Sequence, residues 1–294
     1  MQEVTIAICT YNRCQSLKRA MQSVLKASYP KITLLIVDNN SSDQTAQIVQ
    51  ELQQAYLTKK IEYYFEPQQG VAVARNRALK ECRTEYLGFI DDDEEIIENW
   101  VESMLTAFEL DSKVGVVTGP GVPIYEVEPP TWMSVGVHDS YLLYPEKTYI
   151  LPLNTGIGTG NVLMRAECFA NVYFREDLGR QGACLLGAED TDFFRRVLAQ
   201  GYLPAYAHRA IMYHHINKEK LTFSWFARRY FYEGVSEYVQ KQSKKLWLKR
   251  LFTLIVQSFL WVFTLLTFNS QKIYYRGLRV IQLWGIICGP WVSR

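Results

Sequence analysis

The chain has 294 residues, 48% hydrophobic and 21% charged, with no low-complexity stretch or internal repeat, so it reads as globular: one large domain, or one domain with an appendage. A net charge of +2 conceals an asymmetry, because residues 1–215 carry 19 Lys/Arg against 27 Asp/Glu whereas residues 216–294 carry 13 against 3. An acidic body with a basic tail predicts that the tail meets an anionic surface, either membrane or nucleic acid.

Val4 to Cys9 is apolar and β-branched and predicts a first strand, broken by Thr10-Tyr11-Asn12. A helix is expected from about Arg13 to Ala27, with Leu17, Met21, Val24 and Leu25 on one face. Ile32 to Val37 predicts a second strand ending in Asp38, and the turn Asn39 to Asp43 supplies the N-cap of a helix to about Ala55. Ile61 to Phe65 is a third strand, Val71 to Lys80 a helix opened by Gly70, and Tyr86 to Ile90 a fourth strand. Strand–helix alternation of this kind predicts a parallel sheet with right-handed crossovers, whose ligands bind beyond the carboxyl ends of the strands. Thr10, Tyr11, Asp38 and the run Asp91-Asp92-Asp93 then share one rim.

Carboxylates this close repel one another unless they are solvated or a cation holds them, and hard oxygen ligands suit Mg²⁺ or Mn²⁺. The alternative is a solvated acidic loop leading into a helix at Asn99 to Glu109. The rim carries neither the G-x-G-x-x-G of a dinucleotide site after the first strand nor a P-loop.

Val114 to Thr118 predicts another strand. Gly119 to Pro152 is irregular and holds Tyr125, Trp132, Tyr141, Tyr144 and Tyr149, which form either a lid or acceptor-facing wall, or a satellite packing cluster. Gly158-Thr159-Gly160-Asn161 approaches a strand, and Glu189-Asp190 opens a helix with Phe193, Phe194, Val197 and Leu198 on its apolar face and Gly201 as its stop. Leu203 to Ala207 and Ala210 to Tyr213 are short strand candidates, followed by His214-His215. The six cysteines show no metal spacing, which suggests a reducing compartment, and the N-terminus has no signal-peptide pattern, so the body is expected in the cytoplasm.

Six segments together resemble the family 2 glycosyltransferases. They are Ile8-Cys9-Thr10-Tyr11-Asn12-Arg13, Ile36 to Asp43, Gly70 to Asn76, Leu87 to Asp93, Gly158 to Asn161, and Gly187-Ala188-Glu189-Asp190. The resemblance implies a GT-A fold, an α/β architecture with a Rossmann-like, mostly parallel central sheet flanked by helices, over residues 1–215. It implies an inverting, metal-dependent glycosyltransferase with Mn²⁺ or Mg²⁺ and a nucleoside diphosphate-sugar donor, UDP-sugar first among them. Thr10 and Tyr11 would line the base pocket, Asp38 would hydrogen-bond base or ribose, and Arg75 would hold the nucleotide. Asp91 would face the ribose and, with Asp93, the metal. Asp92 belongs to the same donor cluster, but it points the other way if the residues alternate as in an extended strand, and it should then tolerate replacement better. Asp190 would be the catalytic base with Glu189 beside it. His214 would contact metal or diphosphate, with His215 as the alternative. The Q-x-x-R-W stretch of processive synthases is missing after Asp190, which favours transfer of a single sugar.

Residues 216–294 predict a helical, membrane-associating tail. Residues 221–240 read as an aromatic-rich amphipathic helix, and Leu251 to Phe268 is uncharged, ~27 Å at helical rise and just short of a ~30 Å hydrocarbon core. A second apolar run, Val280 to Val292, is shorter. A spanning helix, an interfacial anchor with Trp225, Trp247, Trp261, Trp284 and Trp291 at the interface, and a helical subdomain packed on itself all fit; basic flanks on both sides favour the interfacial form. The expectation is therefore an enzyme at the cytoplasmic face of the inner membrane, acting on a glycan or lipid-linked acceptor in cell-surface polysaccharide synthesis, without nucleic acid. A sugar-1-phosphate nucleotidyltransferase or a non-catalytic sugar-nucleotide-binding scaffold are the alternatives, and oligomeric state is not readable.

Overall fold

A computed structural model describes residues 1–133, 146–182, 184–241, 244–266 and 269–292. Tyr141 and Tyr144 of the irregular segment, and the last two residues of the uncharged run ending at Phe268, lie outside the described residues. The chain forms two compact units: one of residues 1–124, 141–176 and 189–215, the other of 125–140, 177–188 and 216–294.

In the first unit the predicted alternation is present. Strands β1 (Val4–Thr10), β2 (Ile32–Asp38), β3 (Lys60–Phe65) and β4 (Tyr86–Phe89) alternate with helices α1 (Cys14–Leu25), α2 (Thr45–Ala55) and α3 (Val71–Glu81). There follow β5 (Glu94–Ile96), α4 (Trp100–Ala107), β6 (Val114–Thr118), β7 (Gly121–Tyr125), β8 (Tyr149–Ile150), β9 (Val162–Arg165), α5 (Glu189–Leu198), β10 (Leu203–Tyr206) and β11 (Met212–Ile216). The main sheet runs β3-β2-β1-β4-β9-β6-β10-β8. β1 to β4 are parallel as expected, whereas β9 runs antiparallel to both β4 and β6. A small sheet, β5-β11-β7, stands beside it.

Strand alternation divides the core between the two faces of the main sheet. Val4, Ile6 and Ile8 of β1 pack with Leu17, Met21, Ile48, Val49 and Met104 on the face covered by α1, α2 and α4. Ala7 packs with Leu35, Val37, Ala74, Phe193 and Val197 on the face covered by α3 and α5. Each large side chain so buried contributes about 1.5–3 kcal/mol. α1 starts where it does because Asp43 Oδ2 accepts the Cys14 N–H at 3.0 Å, while Asp43 Oδ1 accepts Thr45 N–H at 3.0 Å and caps α2. One turn thus anchors two helices.

The second unit is built on α6 (Phe223–Lys241), α7 (Lys244–Leu265) and α8 (Ser270–Val292). α6 and α8 touch backbone to backbone, because a Cβ at Gly234 would collide with the Gln282 carbonyl and one at Gly285 with the Phe231 carbonyl. The second apolar run is therefore the inner face of α8: Leu278, Val280, Leu283, Ile286 and Ile287 are buried. Trp132, from the irregular segment, packs edge-on against Phe226 (5.6 Å between centroids) and beside Tyr274 (5.0 Å), so it belongs to a packing cluster of this unit. α7 is different. Phe252, Ile255, Val256, Phe259, Val262 and Phe263 follow helical spacing and all face outward. Trp247–Leu265 is long and apolar enough to cross a membrane, and little of it is buried.

Candidate active site

The carboxyl ends of β1, β2 and β4 bring the predicted rim together. After β4 the chain turns at once: the Asp91 carbonyl accepts Glu94 N–H (3.1 Å), and Glu94 Oε2 accepts Asp91 N–H (2.7 Å). Glu94 reaches inward because position 160 is glycine, where a Cβ would collide with its carboxylate. The turn divides the three aspartates between two arginines. Asp91 faces Arg75 (Oδ1 to Nη2, 3.4 Å) and is half-exposed. Asp92 is buried, accepting from Thr10 Oγ1 (2.8 Å) and Arg13 Nη1 (2.9 Å). Asp93 accepts from the same Arg13 nitrogen (3.1 Å), and its Oδ1 lies 3.7 Å from His214 Nε2.

This corrects the expectation for Asp92. Strand alternation does not apply in a turn, so Asp92 is the hub joining β1 to the acidic loop rather than a tolerant outward residue. Burial pushes its carboxyl up to about 6, although Arg13 pulls the other way.

Register separates the two histidines. β5 and β11 pair antiparallel with His214 opposite Glu94, and His215 N–H donates to the Asp93 carbonyl (2.9 Å). The His214 imidazole therefore points at Asp93, while His215 Nε2 bonds Glu95 Oε1 at 2.5 Å. Among the described residues no three His, Cys, Asp or Glu side chains converge on one point. The Asp93–His214 pair offers one hard oxygen and one imidazole. Such a pair fits a cation that completes its shell with water and substrate phosphate oxygens, as Mg²⁺ and Mn²⁺ do.

Arg75, on α3, is the second organising cation. Buried beneath the rim, it donates to Glu189 Oε1 at 2.6 Å as well as to Asp91, with its guanidinium 5.8 Å from the Phe174 ring centre. Glu189 Oε2 is buried and accepts no hydrogen bond among the described residues. Next to it, Asp190 accepts Thr191 N–H at 2.7 Å. Burial first, and the Glu189 charge second, hold the Asp190 carboxyl above the usual carboxylate range; Arg75 opposes them. A carboxylate of raised basicity is suited to accepting a proton from a hydroxyl.

Other predicted residues are placed differently. Tyr11 is 42% exposed and presents its ring on the rim. Thr10 is buried with its hydroxyl committed to Asp92. Asp38 accepts Ser41 N–H (2.9 Å) and the Tyr63 hydroxyl (2.7 Å), and so closes the turn after β2. Asn161 belongs to the framework: its carbonyl oxygen accepts the Trp100 indole N–H at 2.7 Å and its amide donates to the Pro120 carbonyl. Arg13, Tyr63 and Glu94 are site residues that sequence reasoning missed. Arg13 stood inside a quoted motif, but spacing does not reveal which carboxylates an arginine will meet.

A mostly parallel sheet with acidic and aromatic groups at its strand ends, and a carboxylate pair opening a helix beside them, is the arrangement of GT-A glycosyltransferases. A sequence profile, "Glycosyl transferase family 2", matches residues 5–171, and the chain belongs to that family of glycosyl-transferring enzymes. It is 27% identical over 236 residues to the succinoglycan biosynthesis protein ExoM of Rhizobium meliloti (strain 1021), covering 79% of this chain and 72% of that one. It is 26% identical over 218 residues to the glycosyltransferase AglE of Haloferax volcanii, covering 72% and 66%. Among solved structures, the mannosyltransferase PcManGT of Pyrobaculum calidifontis, in complex with GDP-Man and Mn²⁺, superposes over 99% of this chain and 87% of its own at a TM-score of 0.70 and 15% identity. S. aureus TarS 1–349 with UDP-GlcNAc gives 0.59 and 18% identity over 80% of this chain and 65% of its own. At these identities the structural likeness is one of fold.

Proposed function

We propose that this enzyme transfers a single sugar, with inversion, from a nucleoside diphosphate donor (a UDP-sugar first) to a glycan or lipid-linked acceptor in cell-surface polysaccharide synthesis. The observation that carries this reading is Arg75. One buried guanidinium spans Asp91 of the donor turn and Glu189, the neighbour of Asp190. Two motifs far apart in sequence are thereby held around one space. Tyr11 offers a face for the base to stack on, and Arg75 fixes the Asp91 carboxylate toward the ribose. Asp93 and His214 would hold a divalent cation, which neutralises charge on the departing diphosphate. Asp190 removes the proton of the acceptor hydroxyl, which attacks the anomeric carbon from the side opposite the diphosphate.

The succinoglycan relative and the UDP-GlcNAc and GDP-Man/Mn²⁺ complexes support the donor class and the cation. Residues 1–215 hold the catalytic machinery in this reading, and residues 216–294 lie on the cytoplasmic leaflet. The outward stripe of α7 enters the lipid, because α7 contains no acidic residue while residues 216–294 carry 13 basic ones. Its other side is occupied: the Trp247 and Trp261 indoles donate to the carbonyls of Ile287 and Ile273 on α8, which suits a helix lying in the interface.

The test is a screen of nucleotide sugars with Mn²⁺ or Mg²⁺, followed by turnover of Asp190→Asn with the donor found. Loss of kcat by about 10²–10⁴-fold with donor affinity kept is expected. Turnover near wild type overturns the role of Asp190.

A further inference from the structure

The peptide that delivers Asp190 is held in an unusual conformation. Ala188 has φ +71°, in the left-handed region that residues with a Cβ seldom occupy. Strain of this kind persists only where the surroundings over-determine it. Here the surroundings are one stripe of α6. Gly187 N–H donates to Ser236 Oγ at 2.9 Å, and the Ser236 hydroxyl, in a residue only 2% exposed, donates in turn to the Tyr232 carbonyl at 2.7 Å. Gln240 Nε2 donates to the Ala188 carbonyl at 3.2 Å. The Arg229 guanidinium also lies against Gly187, 3.3 Å from where a Cβ would be. Arg229, Ser236 and Gln240 stand at i, i+7 and i+11, one face of a helix. The peptide group after Ala188 and the one before Gly187 are therefore grasped from the tail, and Glu189 and Asp190 follow directly in the chain.

We propose that Ser236 and Gln240 are positioning residues of the transferase: their clasp on Gly187–Ala188 holds Ala188 left-handed and so fixes where Asp190 is presented. The inference rests on the reading of Asp190 as the base. It assigns to the basic tail a part in the reaction besides any contact with membrane.

The full chain in detergent tests it with Gln240→Ala, Ser236→Ala and the double variant. Each is compared with wild type in amide hydrogen exchange at residues 187–191, in UDP affinity with Mn²⁺, and in kcat. Gln240→Ala removes only one side-chain amide, so it reports even where Ser236→Ala folds poorly. Faster exchange at Gly187 and Thr191, kcat lower by on the order of 10- to 100-fold and UDP affinity unchanged are expected. Adding Ala188→Gly should restore part of kcat, since glycine adopts this φ without strain; a merely structural weakening would not be rescued at that position. Unchanged exchange at Thr191, whose N–H bonds Asp190, overturns the proposal, as does faster exchange with full kcat. If Asp190→Asn is itself as active as wild type, the functional reading fails. The clasp is then judged on Thr191 protection alone: lost in the variants, it stands; retained, it falls.

Discussion

Removing Arg75 tests the organisation of the site most directly. The Arg75 and Glu189 side chains are 7% and 9% exposed and 2.6 Å apart. Arg75→Met keeps most of the volume but leaves Glu189 with no partner on either oxygen, since Oε2 already lacks one among the described residues. Breaking a buried pair from one side costs about 3–5 kcal/mol. The contact with half-exposed Asp91 adds about 0–1 kcal/mol. Melting should fall by on the order of 10 °C for a unit of this size. Removing both charges is a different perturbation: Arg75→Met with Glu189→Gln should lie within about 1.5 kcal/mol of wild type, because no buried charge is stranded. Urea titrations of the three proteins at pH 7.5 decide the matter. A single variant within about 1 kcal/mol of wild type, or a double variant no more stable than the single, refutes the argument that this ion pair holds the site together.

Calorimetry of Mn²⁺ binding in the presence of UDP should show His214→Ala weaker by about tenfold or more and His215→Ala closer to wild type, because the second imidazole is bonded to Glu95; equal losses contradict the register argument. Asp92 has its folded-state carboxyl raised to about 6 from 3.8, so the stability it contributes is complete below the unfolded value and lost as pH rises through the folded one. Between pH 4 and 7 wild type should lose up to ~3 kcal/mol relative to Asp92→Asn, and parallel stability curves for the two proteins count against it. Replacing Phe252, Phe259 and Phe263 by serine, all at least 65% exposed, should abolish sedimentation with anionic vesicles while leaving the melting temperature unchanged. Undiminished sedimentation removes α7 as the anchor.

What could be read from the sequence, and what could not, divides along locality. The β1–α1 to β4 alternation is written in short-range periodicity, and the rim follows from it because strand ends in such sheets coincide. The small sheet escaped notice: Glu94-Glu95-Ile96 is short and acidic, and only its pairing with Met212 to His214 makes it a strand. That pairing also separates His214 from His215, which adjacency alone leaves equal. Alternation fails at Asp92 because β4 ends three residues earlier, at Phe89, and Asp92 lies in a turn fixed by Glu94 and by a glycine 66 positions downstream of it. Ala188 carries no signal at all; a glycine there would have announced a left-handed residue, and an alanine does not.

The interleaving of the second unit has a consequence in time. Gln240 lies 52 residues downstream of the carbonyl it grasps. At about 5–20 residues per second a ribosome needs roughly 3–10 s to add that stretch. Through that interval a nascent chain holds every rim residue from Thr10 to Asp190 and still lacks the helix that sets Ala188. On the proposed clasp, competence for transfer would arrive with the tail, after the sheet that carries the rim has already been synthesised.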